Sequence, residues 1–286
     1  MKTLTQRTLQ RSTGWLAAAA ALSLLPCAHA TLFFEEGFNY ATGGLGTVGS
    51  SPNGPWTGGN ANLAVTSGNL TYPGLTDLGG NQLNVTSGVS AGTVAAPFNG
   101  SMVTSGTVYY SFLADCTALP TANNYITSLL TSGTPNGSSD ALAFYVGQQT
   151  AGSQFRVGVR HGGSGATYTS GAWATLNTVN LFVVAYTFNP STSDDAVSLW
   201  VNPTPGGSMP TADVSFVQSG ATDATGLQIV GFKAQSAATA GNWIFDDLRI
   251  GDTWGDVIPG SVPEPSSVAL GGLSLLGVLM ARRNRR

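Results

Sequence analysis

Side chains able to do acid–base or nucleophilic chemistry are few in this 286-residue chain. Two glutamates, Glu35 and Glu36, sit side by side, and aspartates pair as Asp194-Asp195 and Asp246-Asp247. Glycoside hydrolysis needs two carboxyl groups about 5–5.5 Å apart for retention, or about 6.5–9.5 Å apart for inversion. Neighbours on a strand point to opposite faces. Neither Glu35-Glu36 nor Asp246-Asp247 therefore reads as a dyad acting on one substrate. Asp194-Asp195 falls in a predicted turn, where Asp is favoured because it caps backbone N–H groups. His161 stands before Gly162-Gly163 and reads as a hairpin residue, too isolated for a histidine metal site or a Ser-His-Asp triad. Cys116 reads as a core thiol, and no cysteine cluster exists for zinc. Gly43-Gly44-Leu45-Gly46 lacks the strand-to-helix context of a nucleotide loop. No catalytic residue and no cofactor is expected.

The elements that would position these groups are strands. Between residues 31 and 260 no apolar stretch has helical period; short alternating runs are separated by Gly, Asn, Ser and Pro. The clearest are Leu32–Glu36, Asn69–Tyr72, Gln82–Val85, Thr107–Leu113, Tyr125–Leu130, Leu142–Gly147, Gln154–Arg160, Val179–Phe188, Ala196–Asn202, Leu227–Phe232 and Trp243–Ile250. Two hairpins are expected, one turning at Thr150-Ala151-Gly152 and one at residues 190–194. So many strands without helices predict an all-β sandwich or barrel.

Both ends read as address labels. Lys2, Arg7 and Arg11 precede a short apolar run, and Ala28-His29-Ala30 places small side chains where signal peptidase needs them, so residues 1–30 are expected to be a signal helix cut after Ala30. Cys27 belongs to that segment. At the other end Val262-Pro263-Glu264-Pro265 is followed by residues 266–281, which carry no charge, and then by Arg282, Arg283, Arg285 and Arg286. As a helix, 266–281 rises about 24 Å, short of a ~30 Å hydrocarbon core unless the arginines snorkel. Basic clusters remain cytoplasmic, so each end independently places the body outside. That body, residues 31–261, carries thirteen acids against four bases, a formal charge of −9. A negative body repels phosphate backbones, which excludes nucleic acid as a partner.

Pro263-Glu264-Pro265, the apolar segment and the terminal arginines resemble, in order, the PEP-CTERM sorting domain. The resemblance implies a 259–286 tail recognised by an exosortase near Pro-Glu-Pro, with transient anchoring in the inner membrane of a bacterium that has an outer membrane. The destination it implies is the cell surface or an exopolysaccharide matrix.

Landmarks in the body resemble LamG-like, concanavalin A-like jelly rolls of the lectin and glucanase type. They are residues 33–40 (FFEEGFNY), 72–75 (YPGL), 198–203 (SLWVNP) and 245–251 (FDDLRIG) followed by Trp254. A single jelly roll over 31–258 is implied, with its first and last strands paired. The Glu-x-Asp-x-x-Glu run of the glucanases is missing. Two site expectations follow from the resemblance. Glu35, Glu36, Asp246 and Asp247 would converge on one sheet edge and suit a structural calcium. Trp56, Tyr168, Trp173 and Trp200 would offer stacking faces to exopolysaccharide or other glycans. Three readings follow: a non-catalytic surface or matrix protein, a carbohydrate-binding adhesin, and a divergent glycoside hydrolase or lyase. The first is favoured because no same-face acid pair is present. Mass spectrometry of the exported protein should find Thr31 as the mature N-terminus; an intact Met1 in that fraction contradicts the signal-peptide reading.

Overall fold

A computed structural model describes residues 31–260 apart from Val89, 138–139, Gly152, Ser164, 169–173 and 218–221. The expected signal helix, the Ala28 and Ala30 cleavage residues, the membrane helix, the Pro-Glu-Pro motif, the terminal arginines and Trp173 lie outside the described residues.

In chain order the strands are β1 (Leu32–Glu36), β2 (Gly43–Gly44), β3 (Thr57–Gly58), β4 (Leu63–Thr66), β5 (Gln82–Val85) and β6 (Gly92–Pro97). There follow β7 (Gly106–Ala118), β8 (Asn124–Leu130), β9 (Leu142–Ala151), β10 (Gln154–His161), β11 (Thr167–Tyr168) and β12 (Ala174–Thr175). The last are β13 (Val179–Phe188), β14 (Ala196–Val201), β15 (Val214–Val217), β16 (Ile229–Ala234) and β17 (Asn242–Gly251). They form two antiparallel sheets. The first runs β15-β14-β13-β7-β17-β5-β4-β2 with β1 also on β17; the second runs β11-β10-β9-β8-β16-β6-β3 with β12 also on β10. The protein is an all-β sandwich, as its alternating pattern requires. Both expected hairpins form, β9 with β10 and β13 with β14. β9 continues through Ala151, into the residues expected to turn.

Two expectations need correction. Asn69–Tyr72 is not a strand; it lies in the loop leading to β5. Strands β2, β3, β4, β6, β11, β12 and β15 lie outside the expected runs, four of them only two residues long.

Inward side chains of the two sheets fill one core. Phe112 is central: its ring lies 4.9–5.7 Å from those of Tyr110, Phe144, Phe182 and Phe245. The first sheet is also covered on its outer face. Leu113, Leu181, Val183 and Trp200 pack there beneath Leu70, Leu75, Val257 and Ile258. Burial on both faces explains why β13 is an almost continuous apolar run. A helical turn, Trp254–Val257, ends that cover, held by a capping box between Thr253 and Asp256. Phe112→Ala should lower the free energy of unfolding by about 3–5 kcal/mol in urea titration; a loss below about 1 kcal/mol would show that Phe112 is not central.

Candidate functional site

The terminal strands pair as expected, Glu35 opposite Arg249 and Glu36 opposite Leu248. Pleating then separates the glutamates. Glu36 turns inward, where it accepts hydrogen bonds from the Phe38 N–H (2.6 Å), the Tyr40 hydroxyl (2.6 Å) and Trp56 Nε1 (2.8 Å). Burial raises its pKa against those donors. Glu35 stays exposed, 3.8 Å from Arg249 Nε.

Asp246 and Asp247 break the alternation expected of them. Asp246 is opposite Leu113 and Arg249 opposite Ser111, so two residues of β17 face one of β7, and Asp247 has φ of 50°. This bulge brings both carboxylates to one loop: Asp246 accepts from Leu70 N–H at 2.9 Å and Asp247 from Leu78 N–H at 2.8 Å. Arg249, 1% exposed, lies 3.8 Å from Asp247 and donates to the Thr76 carbonyl. The calcium expectation is thereby corrected. A guanidinium already stands between Glu35 and Asp247, while Glu36 faces the core and its two oxygens are used by the protein's own donors.

The aromatic expectations divide. Trp56 is fully enclosed by Phe34, Phe38 and Phe232, with ring centroids 5.8–6.2 Å away, and offers no face to a sugar. Trp200 is 6% exposed, packed on Trp254 at 5.0 Å, and its indole N–H is held by the Pro210 carbonyl. Both were drawn into the protein because a large ring with a satisfied N–H is worth more buried.

Tyr168 is half-buried and belongs to a row on the outer face of the second sheet. Tyr125 pairs with Tyr145 across β8 and β9, Tyr145 with Gly158 across β9 and β10, and Gly158 with Tyr168 across β10 and β11. The glycines make room for the Tyr168 ring. A Cβ on Gly158 would lie 2.9 Å from Tyr168 Cδ1, and one on Gly147 would lie 3.2 Å from it. Arg156 lies over Tyr168 (5.2 Å), Arg160 over Tyr145 (6.0 Å) and Lys233 over Tyr125 (5.0 Å).

One cluster had no signal in the sequence. His161, Tyr186 and Asp195 are buried, and the ligating atoms of His161, Asp195 and Asp223 lie within 4.8 Å of one another. Tyr186 donates its hydroxyl proton to Asp195 at 2.5 Å, and its oxygen accepts from Ala224 N–H at 2.9 Å. His161 Nε2, 3.1 Å away, must then be the donor to that oxygen. Asp195 also caps Asn189 N–H, as an Asp in a turn should, while Asp223 gathers the N–H groups of Ser193, Asp194 and Asp195. Burial lowers the His161 pKa, favouring the neutral ring. The cluster binds β10, β13 and the 189–195 loop together. Cys116 is free and buried, its thiol pKa pushed up to about 12 by burial, so it is unreactive.

Together these observations define a β-sandwich in which Glu36, Asp195, Asp246 and Asp247 brace the loops. Comparison with known families places residues 261–286 in the PEP-CTERM protein-sorting motif. The chain is therefore an exported, membrane-transiting protein of Gram-negative bacteria, processed through an exosortase-dependent route. No curated protein sequence matches the chain. Similar solved structures include one from a study of endo-acting O-glycanases of the human gut microbiota, at 10% identity, covering 77% of this chain and 99% of that one, with a TM-score of 0.45. Another is the carbohydrate esterase vb_24B_21 from the Shiga toxin-encoding bacteriophage phi24B, at 13% identity, covering 78% and 98%, with a TM-score of 0.46. A third is the exoplasmic/lumenal domain of VIP36 bound to Ca2+ and Man3GlcNAc, at 7% identity, covering 71% and 88%, with a TM-score of 0.38.

Burial pushes the Asp246 carboxyl up to about 8 and that of Asp247 to about 6. A carboxyl whose folded pKa exceeds its unfolded value binds more protons when folded, so its stabilisation is lost as pH rises through the folded pKa. Between pH 6.5 and 8 the free energy of unfolding should fall by about 1–2 kcal/mol through Asp246. Asp246→Asn should flatten that slope in denaturant titrations, and an unchanged slope would remove Asp246 as its source.

Proposed function

We propose that this is a non-catalytic protein of the bacterial envelope or exopolysaccharide matrix, delivered there by exosortase processing of its tail. The match of residues 261–286 to the sorting motif carries the reading. The charge distribution supports it: a body of formal charge −9 precedes an uncharged segment and four arginines, which favours translocation of the body and retention of the arginines. The absence of catalysis is supported by the use made of the acids. Glu36, Asp195, Asp246 and Asp247 are all buried and accept hydrogen bonds from the protein itself.

The body is held close to the processing point. The Ile258 carbonyl accepts from Gly206 N–H at 2.9 Å, the Pro259 carbonyl from Thr76 N–H at 3.0 Å, and Gly260 bridges to Leu75. Pro263 follows three residues later, so an extended chain places it no more than about 11 Å beyond Gly260. The protease must therefore work nearly against the body's surface.

A second reading, a carbohydrate-binding adhesin, is favoured by the Tyr125–Tyr145–Tyr168 row, which sets aromatic and cationic groups on one open face. Cells carrying Pro263→Ala, Glu264→Ala and Pro265→Ala together should retain the protein in the inner membrane with Arg286 intact, read by fractionation and C-terminal mass spectrometry. Release of a trimmed product from that variant contradicts exosortase sorting.

A further inference from the structure

The chain sets out toward the sorting motif from a fixed point. Thr76 N–H donates to the Pro259 carbonyl at 3.0 Å, Thr76 Oγ1 donates to the Gly260 carbonyl at 3.2 Å, and Gly260 forms an antiparallel bridge with Leu75. On its other side Gly260 lies against Gly206, where an added Cβ would stand 2.9 Å from the Gly260 Cα. Gly260 is thus held between two turns, 72–75 and 204–207, each closed by a backbone hydrogen bond.

The same two turns form the rims of a cleft of about 550 Å³. Thr71, Tyr72 and Pro73 line one side, and Asn202, Thr204 and Pro205 the other. Among the described residues that line it none is charged, in a body of formal charge −9. Tyr72 is half-buried against the apolar cover of the first sheet, while Thr71 and Thr204 are exposed. The direction of the bridge decides the heading of the chain beyond it. In an antiparallel pair one strand advances as the other retreats. Pairing of Pro259 with Thr76 and of Gly260 with Leu75 therefore points the next residues toward Gly74, Pro73 and Tyr72, the rim of the cleft. The 72–75 turn ends the ladder there but leaves that heading.

We propose that this cleft is the docking site of the protein's own Ser261-Val262-Pro263-Glu264-Pro265 segment. Its two prolines favour an extended chain and remove two N–H donors, so that carbonyls and apolar rings are what a docking surface must meet. The Thr71 and Thr204 hydroxyls can donate to such carbonyls, and Tyr72, flanked by Pro73 and faced by Pro205, gives the rings an aromatic wall, as grooves that take proline-rich peptides do. Glu264 meets no like charge among the described lining residues. Five extended residues span about 17 Å, so the docking is intramolecular and needs little intrinsic affinity. Docking withholds the motif from the protease until it is displaced. That consequence, though not the docking itself, rests on the sorting reading above.

Disulfide trapping in the full-length protein, made in cells without an exosortase and purified in mild detergent, tests the docking. Glu264→Cys is combined either with Thr204→Cys, on the rim, or with Ser208→Cys. Both partner positions are exposed and two residues from Gly206, but Ser208 does not line the cleft. Cys116 is buried and does not compete. Oxidation should close the Thr204 pair at least about tenfold faster than the Ser208 pair, and equal rates overturn the docking. The withholding is tested by pulse-chase in cells that have an exosortase. Thr71→Glu and Thr204→Glu together, two exposed changes that set like charges against Glu264, should speed the appearance of trimmed protein several-fold; trimming at the wild-type rate overturns the withholding. A wild-type protein that is never trimmed overturns the sorting reading, and the trapping rates still decide the docking.

Discussion

The closing strand, β17, is the constraint on which the structure depends. It lies against β7 on one side and shares its other edge between β5, beside residues 243–245, and β1, beside residues 248–251. The handover from one neighbour to the other falls at Asp246-Asp247. A ladder that changes partners leaves backbone groups of the crossing loop without strand partners, and buried N–H groups must be satisfied. The bulge at Asp247 solves this by sending both carboxylates to the 70–78 loop. Arg249 from the same strand fastens Thr76 and offsets the charge. The first strand, the closing strand and the cover of the outer core are held by this one junction.

The same economy governs the other buried polar groups. Glu36 draws Tyr40 and Trp56 onto the first strand, and Asp195 with Tyr186 and His161 ties a hairpin of the first sheet to β10 of the second. Each network joins segments far apart in sequence. An acid buried in this way costs desolvation, which its donors offset only when all of its bonds are made. Such groups specify one arrangement of loops more than they add stability.

The two outer faces of the sandwich differ in consequence. That of the first sheet is apolar and covered by the 70–75 loop and the last turn of helix, so the chain leaves the body there. That of the second sheet carries tyrosines and three cations.

What the sequence by itself determined lies in patterns that are local. Short apolar or alternating runs between turn residues set the all-β class, two hairpins and the long strands β7 and β13. Charge order and Pro263-Glu264-Pro265 set the sorting tail. These follow from covalent periodicity and from the sign of charge beside an apolar segment, which need no tertiary partner. The tertiary structure alone decided the rest. Asn69–Tyr72 alternates as a strand does, yet it became the loop that the Asp246 and Asp247 carboxylates hold. Trp56 and Trp200 carry the composition of a sugar platform, but ring burial put them in the core. Glu35, Glu36, Asp246 and Asp247 looked alike in the chain; pleating, a bulge and one arginine gave them different surroundings. Tyr125, Tyr145 and Tyr168 come from three different strands, and only their register sets them in a row. Contacts between residues tens of positions apart depend on register and on side-chain direction, and a one-dimensional pattern holds neither.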